Sequence, residues 1–186
     1  MKNLRLMLGM IILLLTNMIF GQNEKCKFNG GLELDVLPYV FSGYYGSVWV
    51  KYDNIRIRPV ITKINQPKFV YDKNFENLNT NVYALLIDYV FTKEEGLKDL
   101  WIGSGFEYWH NEITEKNSKL TKEFNNVYFT LGSGYFIYLT DNLYLNPWCA
   151  VHAKIAGNNE TKFIEHNFKP GIIVPEASLK IGYKIW

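Results

Sequence analysis

The strongest constraint on this chain is the alternation of side chains over residues 127–155. Val127, Phe129, Leu131, Ser133, Tyr135 and Ile137 share one parity, and Tyr128, Thr130, Gly132, Gly134, Phe136 and Tyr138 share the other. After a polar turn at Thr140-Asp141-Asn142, Leu143, Leu145, Pro147, Cys149, Val151, Ala153 and Ile155 alternate with Tyr144, Asn146, Trp148, Ala150, His152 and Lys154. Successive side chains of a strand face opposite sides, so each arm has one apolar face and one face of glycines, rings and polar groups. The arms are roughly a dozen residues long, beyond the ~5–6 of a globular strand. They match a transmembrane β-strand, which needs ~9–11.

The pattern recurs along the chain. A short acidic strand begins after Gly30-Gly31, with Leu32, Leu34 and Val36 opposed by Glu33 and Asp35. Further strands are expected near 44–52, 55–62, 81–91, 100–111 and 176–185, with the 127–155 hairpin supplying two more. Pro59 lacks a ladder donor and predicts a bulge or local break in its strand. The connections after strands two, four and six are short. Those after three, five and seven (65–79, 114–124 and 157–170) are long and polar. An even strand count with short turns at one end and long loops at the other is the layout of outer-membrane barrels. The first strand is the weak point of the count, since without it the number is odd.

The N-terminus reads as a cleaved signal peptide over 1–21. Lys2 and Arg5 precede an apolar run from Leu6 to Phe20, and Gly21 offers a small residue for cleavage. Residues 22–29 form a polar periplasmic lead-in, and 30–186 form the barrel domain. Export permits a disulfide, but Cys149 lies on an apolar face and Cys26 in the polar lead-in, so two separate thiols are expected. The net charge of +2 offers nothing to nucleic acid. Tyr and Trp, 13 and 5 in number, suit places with one apolar and one wet side.

With alternating strands, a signal peptide and Trp186 at the end of its last strand, the chain resembles the small outer-membrane β-barrels of the OmpX and OmpW kind. The resemblance covers roughly 30–186 and is architectural. It implies an all-β, eight-stranded antiparallel up-and-down transmembrane β-barrel in the outer membrane of a Gram-negative cell. It also implies outer-membrane lipids, including lipopolysaccharide, and the barrel-assembly machinery as partners. That machinery reads a terminal aromatic; here Trp186 follows Ile185 and falls one step off the outward parity.

The mixed face carries Glu33, Asp35, Asp88, Glu107 and Glu176 against Lys51, Arg56, Arg58, Lys154, Lys180 and Lys184. These nearly balanced charges suit mutual pairing inside a barrel, where lone charge is costly. The expected interior network is Arg56, Arg58, Asp88, Glu107, His152, Lys154, Glu176 and Lys180. Large rings beside glycines predict a plugged lumen, because an eight-stranded barrel is just wide enough for side chains to fill. Asp88, Glu107 and His152, with Ser104 and Ser133 near in sequence, suggest an acyl hydrolase. However, both serines have the outward parity, and no G-x-S-x-G elbow occurs. No catalytic group, cofactor or metal site is therefore expected, and the function read is a structural or surface-interaction role. The alternatives are a lipid-modifying outer-membrane enzyme, a narrow transporter of small apolar molecules, and a soluble lipocalin-like barrel with its apolar face inside.

Overall fold

In the computed structural model, residues 28–91 and 96–186 are described. The expected signal peptide, Cys26 and most of the polar lead-in lie outside them. Eight long strands form one antiparallel ring: β1 (Phe28–Asp35), β2 (Tyr44–Tyr52), β3 (Ile55–Asn65), β4 (Phe75–Val90), β5 (Leu100–Glu115), β6 (Thr121–Tyr135), β7 (Leu143–Gly157) and β8 (Ile173–Lys184). Each strand pairs with the next, and β8 pairs back to β1 from Gly31↔Lys184 to Asp35↔Lys180, which closes the barrel. A five-residue helix, α1 (Val36–Val40), joins β1 to β2, and the Asp35 carboxylate caps it by accepting from the Leu37 N–H. The turns after β2, β4 and β6 share one end with Phe28 and Lys184, here called the turn end. The α1 connection and the loops after β3, β5 and β7 share the other, the loop end.

The alternation decides which face is inside. Glu33, Arg56, Arg58, Trp101, Asn146 and Lys180 are buried inward, whereas Leu34, Ile57, Leu85, Phe106, Leu131 and Val151 stand about half exposed on the outer wall. A soluble monomer rarely exposes an apolar patch larger than a few hundred Å². Here the exposed residues run all round the ring. The soluble lipocalin-like alternative required the reverse facing, and the barrel does not have it. Exposed tyrosines edge the apolar wall at both ends: Tyr52, Tyr135 and Tyr183 at the turn end, Tyr44, Tyr83 and Tyr108 at the loop end. Tyr44 and Tyr52 bracket β2, and at ~3.3 Å per residue they lie about 26 Å apart along the strand, the scale of a bilayer-facing band.

Several boundaries differ from the sequence expectation. β1 starts at Phe28 and is eight residues long, so it fully supplies the eighth strand. β4 and β5 each run for 16 residues, and the loop expected over 114–124 is a tip of residues 116–120. The polar residues of 112–115 and 121–125 belong to the strands and lie beyond the apolar band, where alternation no longer marks a strand. The last long connection, 158–172, folds back as a small hairpin pairing Thr161–Lys162 with Asn167–Phe168. Its Phe168 packs with Phe75, Leu78, Ile113 and Phe124 in an apolar cluster above the wall. Pro59 causes a break and no bulge: pairing to β4 runs through Pro59↔Leu85 without a register shift, and the β2 ladder is interrupted between Ser47↔Val60 and Val50↔Ile57. The terminal ring also departs from its parity. β8 ends at Lys184, and Trp186 turns onto the outer face, where its ring covers Gly30. Gly30 pairs with the outward Val50, so any side chain there would strike that ring.

Candidate functional site

The inward side chains form two separate charged groups. The first closes the turn half of the barrel. Arg56 and Arg58, two apart on β3, face the same way and converge on Asp88 of the neighbouring strand. Arg56 Nε and Arg58 Nε donate to Asp88 Oδ2 at 2.8 and 2.6 Å, and Arg58 Nη2 donates to Oδ1 at 3.0 Å. Arg56 Nη1 reaches across to Glu33 Oε1 at 2.9 Å. Tyr144 Oη and Asn146 Nδ2 donate to the same Glu33 oxygen, and Trp101 Nε1 fixes Asn146. The Arg56 guanidinium lies over the rings of Trp101 and Phe136. An apolar cluster of Trp49, Val90, Trp101, Phe136 and Tyr144 fills the space beside it. Gly103 makes room for the Asp88 carboxylate and Gly182 for the Tyr144 ring, since a Cβ at either position would collide with them.

The second group lies nearer the loops. His152 Nδ1 is 3.2 Å from Glu107 Oε2 and His152 Nε2 is 3.1 Å from Glu176 Oε2. The Thr130 hydroxyl sits 2.9 Å from Nδ1, and Trp109 Nε1 donates to Glu107 Oε2. Of the eight residues expected in one network, the structure thus joins Arg56, Arg58 and Asp88 in one cluster and Glu107, His152 and Glu176 in another. Lys154 is in neither; its Nζ donates to the Asn158 carbonyl at the rim. Lys180 is also apart. It is almost wholly buried, forms no hydrogen bond or ion pair among the described residues, and stands 3.7 Å over the Trp148 ring with Tyr45 and Trp101 farther off. Trp148 Nε1 and Ser178 Oγ instead bind Asp35. The sequence reading counted Glu33 among the inward charges without placing it in the network, and it missed Tyr144, Asn146 and Trp148 as partners. Their inward parity was visible, but which inward groups meet across a lumen depends on tilt and closure.

The Ser–His–carboxylate arrangement is not assembled. Ser133 donates to the Trp101 carbonyl within the wall, and Asp88 is held by two arginines. The Thr130 hydroxyl is beside His152 but is buried away from the hollow described next. Among the described residues, no group of His, Cys, Asp or Glu could hold a metal ion.

Above the arginine cluster the barrel is hollow. A cavity of about 1260 Å³ extends from Lys180, Tyr45 and Trp148 up to Phe69 and Tyr71 in the loop after β3. Val60, Ile64, Val82, Trp109 and Tyr128 give it apolar walls, and Glu107, His152 and Glu176 form a polar strip on one side. The expectation of a filled lumen did not foresee this half. Small-molecule pockets are usually ~300–1,000 Å³.

The wall beside this cavity is incomplete. Lys154 N–H donates to the Ile172 carbonyl, which turns the backbone groups of even-numbered β8 residues toward β7. The odd-numbered residues point to the β1 side. β1 ends at Asp35, opposite Lys180, so Ile173 and Ala177 have no strand partner there. Pro175 sits in the same stretch, where a missing N–H costs no ladder bond. α1 stands in the gap: its Tyr39 hydroxyl donates to the Tyr45 carbonyl of β2, and Leu37 and Pro38 line the cavity. The outward residues Ile173, Pro175 and Ala177 line that cavity too, together with inward His152 and Trp109. The hollow therefore continues around the β8 edge to the outer wall.

A closed antiparallel ring with an apolar exterior and a polar interior is the architecture of small outer-membrane β-barrel proteins, and that is the class this fold defines. No protein-family model matches the chain, and no curated protein matches it. Among solved structures, the chain is similar to the crystal structure of Neisserial surface protein A (NspA), at 11% identity over 84% of this chain and 94% of that one, with a TM-score of 0.47.

Proposed function

We propose that this chain is an outer-membrane barrel that holds a small apolar or amphiphilic molecule in its loop-side half. The observation that carries the reading is the hollow of about 1260 Å³, apolar-walled, blocked below by the arginine cluster and open at the β8 edge. The half-exposed Leu, Ile, Val and Phe of the outer wall support membrane insertion, and apart from the β8 edge beside α1 the ring pairs its backbone groups within itself. The sequence reading favoured a structural or surface-interaction role. The ordered apolar tower of Phe75, Ile113, Phe124 and Phe168 supports loops that present a fixed surface, but the cavity points to a bound molecule.

Two measurements test this. Refolded protein should migrate heat-modifiably on a detergent gel and fractionate with outer membranes; recovery in a detergent-free soluble extract refutes the placement. In phosphatidylcholine nanodiscs, with empty discs subtracted, N-phenyl-1-naphthylamine should bind saturably. Val82→Trp, which fills the cavity from β4, should reduce that binding at least tenfold. Linear partitioning alone in the wild type overturns the ligand reading.

A further inference from the structure

Resting on that reading, we infer that the cavity is built for a single-chain amphiphile with a carboxylate headgroup, seated on Lys180 with its tail along the apolar wall. Three observations converge. Lys180 is a buried ammonium that borders the cavity and forms no ion pair or hydrogen bond with the described residues. Its neighbours leave it in that state. Glu33 is taken by Arg56, Tyr144 and Asn146, and Asp35 by Trp148, Ser178 and the α1 N-cap. Both carboxylates act on Lys180 only from beyond contact distance, so the buried ammonium keeps a desolvation cost that an anion arriving from the cavity relieves.

The second observation is shape. The rings of Trp148, Tyr45 and Trp101 crowd the ammonium, and a compact carboxylate on a thin chain fits beside them. Trp and Tyr rings also tolerate the cation while it is unoccupied, through cation–π attraction. The third is the position of the gap. β1 stops at Asp35, the residue paired with Lys180 itself. Lys180 thus lies at the lower corner of the opening, and the outward Pro175 and Ala177 carry the cavity past the β8 edge. An amphiphile in the surrounding lipid can pass its charged end under α1 to Lys180 and then draw its chain in. Glu107 and Glu176 lie higher, each against His152, so the lower part of the cavity is the favourable end for negative charge.

The test uses the full mature protein in phosphatidylcholine nanodiscs, with cis-parinaric acid and its methyl ester as probes. Energy transfer from Trp109 and Trp148 reports occupancy. The acid should bind at least tenfold more tightly than the ester, and Lys180→Met should bring the ratio of the two affinities close to one. Equal binding of acid and ester by the wild type overturns the assignment of Lys180 while leaving the cavity reading standing. Absence of saturable binding by both probes removes both. Should Lys180→Met not refold, a fatty acid carrying a diazirine next to its carboxyl decides the matter on the wild type. Crosslinks on peptides containing Tyr45 or Trp148 uphold the proposal, and crosslinks confined to the 66–74 loop refute it.

Discussion

Arg56 and Arg58 show how much a spacing of two determines. The alternation alone places both on one face of β3, and Asp88 on the inward face of β4. In the structure the register Arg56↔Asp88 brings them together. What alternation cannot show is which inward groups meet beyond the adjacent strand, where Glu33 supplies the second carboxylate from β1, two strands away. That contact depends on the shear of a closed ring. The two guanidinium groups and the two carboxylates are buried, so removing one partner leaves charge that water cannot reach. Asp88→Asn should therefore destabilise the barrel by about 3–5 kcal/mol, the usual cost of breaking a buried pair. A urea unfolding series in detergent, followed by Trp fluorescence and by heat-modifiable migration, measures this. An unchanged midpoint contradicts the view that the cluster holds the turn half together.

At the scale of elements, the strands are legible where lipid imposes alternation and obscure beyond it. The middle of β7 alternates cleanly, and its facing can be tested directly. Val151 is outward, half exposed, and paired with Leu131 and Pro175. Val151→Arg should cost about 2–4 kcal/mol in a bilayer if it lies near the midplane. Equal stability of variant and wild type in lipid vesicles places Val151 outside the hydrocarbon. Past the band, polar residues of β4, β5 and β6 still pair, and their order comes from contacts the sequence does not display. Glu115 ends β5 and ties down the 158–172 loop: its Oε1 accepts from the N–H groups of Glu165 and His166, and its Oε2 from the Ser118 hydroxyl. The Ser118 hydrogen bond leads in holding this carboxyl below the usual carboxylate range, with the His166 and Glu165 N–H groups adding to it. A depressed carboxyl stabilises the ionised state, so the clamp is fully present at neutral pH and is lost as the pH falls through its lowered value. Glu115→Gln should expose the loop to trypsin at Lys162 and Lys169 at neutral pH, as acid does to hydrogen exchange in the wild type. Equal cleavage of variant and wild type leaves the loop fixed by its apolar cluster alone.

The whole molecule is a barrel with one blind end. Strand count and the apolar exterior were readable in advance because a membrane barrel imposes them on every strand alike, whereas the connection after β5, expected to be long, is only the tip 116–120. The hollow was not, because it arises from residues of ordinary size facing one another without interdigitating, and parity says nothing about depth. The gap at β8 was hidden for a similar reason: it follows from the place where β1 gives way to α1 after Asp35. Together these features set what can cross. An ion entering from the loops meets Lys180 and then Arg56, Arg58, Trp101, Phe136 and Tyr144, packed around Glu33 and Asp88 with little exposed surface. The remaining exit from the hollow is sideways, past Pro38 and Pro175, into an apolar surrounding. Reconstituted in a planar bilayer, the wild-type barrel should hold no steady ionic conductance, even while it binds an apolar probe. Removing the bulk of the plug with Trp101→Gly together with Tyr144→Gly should produce stepwise openings, provided the double variant still migrates as a folded barrel. Porin-like steps in the wild type would mean that the arginine layer opens on a millisecond scale, and that the cavity is the vestibule of a pore rather than a chamber blind at its lower end.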